Sequence, residues 1–515
     1  MNVPDVTRDS SIPASKGPPT PTKDWGLRQR WPLFLAVCVA LGVWCAVDVC
    51  RRARLLPDHP ERHRTDLTVY TTAGAAFFDD RDPYQVTNVR GWHYLYPPLF
   101  AILISPLHHL LPETQAGVWF ALSAALCLGS FFECRRIVRC VLPDRKAGPA
   151  RYPRLPTWMG IGAFLAVLLP TLNCLQRGQV GVAVVYLLLL GFRLVLTGRT
   201  TRAWLLGGFV LAAPVALKLT PILPVGFLML AQAVVHLGSG TPGRNARRAA
   251  APSIGVLFGL VAFLFLIPAL FVGWDRNLGH LNTWIRRVVV TRDVGDVNEF
   301  NVLSKRNQSM SNAVFHFGNW AAHLLGDAPD DGFTREDSSD LEVYLMDHHA
   351  VSAALNVIRA MLMLLLAACG WWLMRRGGPL EQATSFGLAC AATLLISPLS
   401  WGHHYIILLP AALFVPLWFW ENGSHRTAMV GAAVPGALSF LHYTLLDFAG
   451  RIGVLGIGTT LWFIGACLIV LASCRRGSRG RRRPVRVPDS VIRRRGMVTA
   501  GDFLLWLRTH RGVRA

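Results

Sequence analysis

The sequence predicts an all-α, polytopic membrane protein. Of its 515 residues 52% are hydrophobic and only 16% charged, with a mean hydropathy of +0.37, too apolar for an ordinary water-soluble domain. Apolar runs close to the ~20 residues needed to cross ~30 Å of hydrocarbon recur along the chain, and short polar or basic connectors separate them. The net charge of +22 is unevenly spread: the tail after Cys474 carries 13 Arg against 2 Asp, half of the total. A basic terminus directly after an apolar run marks a cytoplasmic end that attracts anionic lipid headgroups, so nucleic acid is not an expected partner. The 11 cysteines fall mostly inside apolar runs, with no C-x-x-C pair or zinc spacing, which implies neither a disulfide framework nor a metal site. No cofactor is expected.

Residues 1–30 are polar and rich in Pro and Ser, which predicts a disordered cytoplasmic lead rather than a signal peptide. Trp31 to Val49 is the first span. The loop over 50–96 contains Leu67 to Phe78, where Val69, Ala73 and Phe77 repeat at helical spacing, so a short amphipathic helix at the membrane surface is expected. Tyr96-Pro97-Pro98 leads into Leu99 to Leu111, which is short for a crossing, and Ala116 to Phe132 is the next span. The following connector holds seven basic residues between Arg135 and Arg154 and should be cytoplasmic. Two full crossings between 97 and 132 would place it on the same side as the first loop, so residues 99–111 are expected to be shallow or re-entrant.

From Trp158 the spans alternate: out to Leu172, a small outer turn, and back through Val180 to Leu196. The run from Trp204 to Leu237 divides about Lys218-Leu219-Thr220-Pro221, which puts Lys218 on the outside. Ser253 to Val272 then leads to a long loop over 273–350. Spans beginning at Val351, Ala383, Tyr405, Thr427 and Ile452 complete about 12, with both termini cytoplasmic. The apolar domain covers 31–473 and the basic tail 474–515. No repeat is evident.

With this topology the uncommon polar residues gather on the outer side. They are Asp66 in the first loop, Arg177 and Gln179 in the next outer turn, and Lys218 at the third. Arg306 and Asn307 in the long loop and the pair His403-His404 complete the set. Ionisable groups near a membrane are costly unless they face a cavity or a partner. A carboxylate takes a proton from an attacking hydroxyl, and Lys, Arg and His stabilise charge on a departing phosphate, which suits glycosyl transfer from a lipid phosphate sugar. Plainer readings stand beside these. Asp66 precedes a helix and suits an N-cap, with Thr65 a competitor. Lys218 suits snorkelling, Arg177 and Arg306 suit surface charge, and Tyr96 suits an interfacial aromatic. His403 and His404 suit satisfied polar groups.

The ordered segments Asp66-Leu67-Thr68-Val69-Tyr70, Asp82-Pro83-Tyr84, Tyr96-Pro97-Pro98-Leu99-Phe100, Gly178-Gln179, Lys218-Leu219-Thr220-Pro221, Asn307-Gln308-Ser309 and Ser397-Pro398-Leu399-Ser400-Trp401-Gly402-His403-His404 resemble glycosyltransferase family 87. The resemblance spans roughly residues 31–473. It implies a GT-C fold and an inverting hexosyltransferase of the plasma membrane. The donor would be a polyprenyl-phosphate hexose, mannose in this family, and the acceptor a lipid or glycan on the extracytoplasmic side. By the resemblance Asp66 is the general base, and Lys218, His403, His404, Arg177, Gln179, Arg306, Asn307 and Tyr96 bind substrate. The pattern departs at Gly402, where an acid often precedes the His pair, and in the absence of an Arg soon after Asn307-Gln308-Ser309-Met310. The rival from another class is a transporter or flippase of lipid-linked sugars, which would place charges deep in several spans.

Overall fold

The computed structural model describes residues 31–54, 64–88, 91–142, 157–237, 244–290, 307–310, 312–314 and 349–479. The expected N-terminal lead, most of the connector after Leu142, Arg306, most of the long loop and the tail beyond Arg479 lie outside them.

Among the described residues there are helices and two isolated bridges, Thr87 with His93 and Asn307 with Trp401, but no strands. In chain order the helices are α1 (Trp31–Ala53), α2 (Leu67–Phe78), α3 (Pro98–Ile104), α4 (Pro112–Val141), α5 (Thr157–Arg177), α6 (Gly181–Thr197), α7 (Thr201–Leu217), α8 (Ile222–Leu237) and α9 (Arg244–Val261). A π-helical turn joins α9 to α10 (Ile267–Val272), which is followed by α11 (Trp274–Thr283), α12 (His349–Arg376) and α13 (Pro379–Ile396). A 3-10 stretch, Gly402–Leu408, leads into α14 (Leu409–Glu421), and α15 (His425–Thr444), α16 (Leu446–Arg451) and α17 (Val454–Arg479) close the chain.

Among the described residues six helical stretches are long and apolar enough to cross a membrane: Pro112–Val141, Trp158–Arg177, Asn245–Val272, Ala353–Arg376, Gly402–Glu421 and Val454–Ser473. Shorter apolar helices, α6, α7 and α8 among them, pack between these. Large apolar side chains such as Leu128, Phe131, Leu257, Phe258, Leu364 and Leu461 stand exposed on the outside of the bundle. A water-soluble surface does not carry so much apolar area, whereas hydrocarbon accepts it.

Inside, α13 and α14 form a hairpin in which the residues from Gln382 to Leu395 are all buried. Phe192 of α6 stacks flat on Phe386 at 4.4 Å, and the buried amides Gln232 and Gln382 bond at 2.8 Å. Where α7 crosses α9, Gly208 faces the Pro252 carbonyl and Gly255 the Leu205 carbonyl, with no room for a Cβ on either. Small residues let helix backbones touch in lipid, where dispersion replaces the hydrophobic drive. At the opposite end of the bundle from Asp66, the buried Glu133 of α4 pairs with Arg193 of α6 and with Arg136 at 2.5 Å.

The Pro97-Pro98 segment opens the short element expected over 99–111. α3 has seven residues, about 10 Å at 1.5 Å per residue, and ends in the 3-10 turn Ser105–His109, so it falls well short of a crossing. Of the helices between residues 97 and 142, only α4 is long and apolar enough to cross before the basic connector. α2 has the expected bounds but not the expected setting. Nine of its twelve residues are buried, so it is enclosed by protein rather than amphipathic with one exposed face. It lies against α3 and the turn after it, and His280 of α11 covers Phe77 with ring centroids 4.7 Å apart.

The α2–α3 contact depends on Gly74, where a Cβ would stand 2.8 Å from the Ala101 carbonyl oxygen. Gly74→Val should therefore destabilise by about 1–3 kcal/mol through overpacking, read as a lower unfolding midpoint in detergent; an unchanged midpoint would show that α2 and α3 are not packed this way.

Candidate active site

Asp66 sits at the turn before α2 with helical dihedrals (φ −69°, ψ −12°), and its side chain makes no capping bond. The carboxylate is instead turned toward the C-terminal end of α5. Its Oδ2 accepts from Arg177 Nε at 2.9 Å and from Gln179 Nε2 at 2.7 Å, while Oδ1 has a long contact of 3.5 Å from Asn88 Nδ2. The Asp66 backbone N–H donates to the Arg177 carbonyl at 2.9 Å, so main chain and side chain hold the same junction. Between Arg177 and Gln179 stands Gly178 at φ +68°, the left-handed region that glycine tolerates without cost. That reversal brings both flanking side chains onto one oxygen. A Cβ on Gly178 would also stand 3.0 Å from that of Leu67.

Gln179 passes the order onward. Its Oε1 accepts from Tyr70 at 2.9 Å and Tyr96 at 3.2 Å, which fixes the amide with its NH2 toward Asp66. Burial pushes the phenol pKa of both tyrosines upward, so they remain donors. The Tyr96 ring lies 5.5 Å from Lys218 Nζ, and Lys218 Nζ lies 2.8 Å from His404 Nε2. An ammonium only donates, so His404 accepts through Nε2 and carries its proton on Nδ1. His403 rests edge-on against His404 with centroids 4.5 Å apart, and its carbonyl accepts from Cys174 Sγ at 3.3 Å. A small cavity beside Lys218 and His404 is lined by Thr220, Ser397, Ser400 and Val184.

Of the residues singled out from the sequence, Asp66, Arg177, Gln179, Tyr96, Lys218, His403 and His404 therefore lie in one connected cluster. Arg306 lies outside the described residues. Asn307 stands apart: fully buried, it accepts from the Ser400 N–H at 2.9 Å and donates to the Pro398 carbonyl at 3.3 Å. Gln308 beside it donates to the Gly450 carbonyl at 3.2 Å and accepts from the Leu455 N–H at 3.2 Å, and its carbonyl receives the Tyr405 hydroxyl at 2.7 Å. This segment staples the turn at 397–401 to the start of α17. It supports the His pair from behind. Two cluster members escaped the sequence reading. Tyr70 lies four residues after Asp66, a spacing that places both on one helical face, but Asn88 has no local signal.

Among the described residues no three His, Cys, Asp or Glu side chains converge as a metal site. The arrangement offers one carboxylate whose Oδ1 meets only the long contact from Asn88, and an ammonium–imidazole pair across a wall of tyrosine hydroxyls. That is a base and an anion site side by side.

The model of glycosyltransferase family 87 matches residues 94–398, well over half of the chain. The match takes in Tyr96, Arg177, Gln179, Lys218 and Asn307, begins after Asp66 and ends before the His pair. No curated protein and no solved structure matches the chain significantly.

Lys218 lies in the turn between α7 and α8, and burial pushes its ammonium down from 10.5 to about 8. The charge is thus half lost at about pH 8, and a bound phosphate that restores it must bring in a proton above that pH. Affinity for a prenyl phosphate should fall by up to about tenfold per pH unit above 8. In Lys218→Met the affinity should be weak and flat with pH; a wild-type profile equally flat would remove Lys218 from the anion site.

Proposed function

The chain belongs to glycosyltransferase family 87, and on that footing we propose that this membrane glycosyltransferase moves a hexose, mannose, from a polyprenyl-phosphate donor to a lipid or glycan acceptor. The observation that carries the reading is the single chain of contacts from the Asp66 carboxylate through Gln179 and Tyr96 to Lys218 and His404. A proton acceptor and a phosphate holder lie at its two ends.

In the proposed step the acceptor hydroxyl gives its proton to Asp66 Oδ1 as its oxygen bonds to C1 of the hexose. The bond from C1 to the phosphate oxygen breaks, and its electron pair leaves with polyprenyl phosphate. One displacement at C1 inverts the configuration there. Arg177 and Gln179 keep Oδ2 occupied and aim the carboxylate, so proton transfer is directed to the other oxygen. Lys218 and His404 stabilise the charge that grows on the departing phosphate, and they act in a buried setting where such donors count most. Asn307 serves this reading indirectly, by holding the Ser400 end of the turn that carries the His pair.

The same reading assigns the site to the extracytoplasmic face of the plasma membrane. Taking α1, the six long stretches and the helices α6, α7, α8, α13 and α15 together gives about twelve crossings, with both termini cytoplasmic, the basic connector after α4 inside and the tail near anionic headgroups. The alternation of basic inner turns with the site-bearing outer turns supports it.

Asp66→Asn should lower kcat by about 10²–10⁴-fold in transfer from radiolabelled polyprenyl-phosphate-mannose, with KM for the donor changed far less. Equal transfer by wild type and variant would remove Asp66 from the chemistry, and no transfer from any hexose donor would overturn the donor assignment. In a cysteine-free background, Arg135→Cys in intact cells should react with a membrane-impermeant maleimide only after the membrane is opened; labelling from outside would reverse the orientation.

A further inference from the structure

Three polar groups at the outer end of α15 have no role in the site described so far. Ser439, His442 and Tyr443 are spaced three and four residues apart and so share one face of the helix. Ser439 is 1% exposed and His442 2% exposed. Ser439 Oγ, His442 Nδ1 and the Tyr443 hydroxyl are buried without a hydrogen-bond partner. Leaving such an atom unpaired is costly, and most buried polar groups in folded proteins are paired. Three on one face of one helix mark a surface built for something polar.

That face meets the His pair. A Cβ built on Gly402 would stand 2.6 Å from the Tyr443 hydroxyl oxygen and 3.4 Å from His442 Nε2, so the lack of a side chain at 402 is what admits both groups to the start of the His403-His404 turn. His403 Nδ1 is a fourth buried atom without a partner there. α15 also runs along α5, and Arg177, at the outer end of α5 with its Nε on Asp66, is an electrostatic neighbour of Tyr443.

We infer that His442 and Tyr443, with His403, form the subsite that reads the ring hydroxyls of the donor hexose, a proposal that rests on the donor class assigned above. The chemistry separates it from the phosphate end. Phosphate only accepts hydrogen bonds and is best held by a cation, here Lys218. A sugar hydroxyl both donates and accepts, which matches a phenol and a neutral imidazole, each able to do the same. Buried groups that await a hydroxyl also discriminate strongly, because a sugar with that hydroxyl misplaced leaves them unpaired. All three residues lie beyond the stretch 94–398 that the family match covers.

The test compares wild type, Tyr443→Phe, His442→Asn and Lys218→Met on polyprenyl-phosphate-mannose and on its glucose epimer, and measures the affinity of each for hexose-free polyprenyl phosphate. Tyr443→Phe and His442→Asn should lower kcat/KM for the preferred hexose about tenfold or more and narrow the mannose-to-glucose ratio. Their affinity for hexose-free polyprenyl phosphate should stay within about twofold of wild type, whereas Lys218→Met loses it. The inference is overturned if Tyr443→Phe leaves the ratio unchanged, or if it weakens hexose-free polyprenyl phosphate as much as Lys218→Met does. Wild type inactive on both donors would instead refute the donor class, and this subsite with it, before any variant is compared. Tyr443→Phe removes a single oxygen that has no partner, so it should fold with an unfolding midpoint no lower than that of wild type.

Discussion

A carboxylate buried at the end of an apolar bundle must be compensated, and Asp66 is compensated by one three-residue turn. Arg177 and Gln179 both donate to its Oδ2, and the backbone of Arg177 accepts from its N–H. Breaking a buried ion pair from one side typically costs about 3–5 kcal/mol, so the first loop and the end of α5 are obliged to stay together. Everything else in the site takes its position from that junction. Gln179 is oriented by the two tyrosines it accepts from, the tyrosines sit on α2 and ahead of α3, and Tyr96 places its ring beside Lys218.

A second constraint works from the far side. Asn307 and Gln308 are fully buried and use backbone and side-chain groups to join the turn at 397–401, residue 450 and the start of α17. Polar groups placed so deep are tolerated because they are paired, and pairing makes the local geometry specific. Trp401 adds an edge contact at 5.2 Å to Trp92 of the first loop. The two halves of the site, one built on the N-terminal loop and one on the C-terminal helices, thus touch at the aromatic pair as well as at the polar core.

Much of this was legible in the chain because apolar length and loop charge are local signals. The bounds of α2, the break at Lys218 and the shortness of the 99–111 segment all follow from residue pattern. Once the outer turns are placed on one side, Asp66, Arg177, Gln179, Lys218 and the His pair must be neighbours in some sense. What pattern does not carry is which group touches which. The same Asp66 that suits a helix cap makes no cap bond, because a stronger donor pair arrives from a turn 111 residues later. α2 is enclosed rather than exposed on one face because α3 folds back over it, a tertiary event with no trace in the periodicity of either segment. Asn88, His442 and Tyr443 are silent for the same reason.

The seven residues of α3 set a limit on how this chain tolerates insertion. Most surface loops accept extra residues at small entropic cost. Lengthening α3 into a full apolar helix would instead add a crossing and invert every helix after it relative to the first loop. Asp66 would then face one compartment and Lys218 the other, with each local sequence intact and no cluster left to form. On the proposed topology the brevity of α3 thus keeps a carboxylate and a lysine some 150 residues apart in sequence on the same side of a membrane.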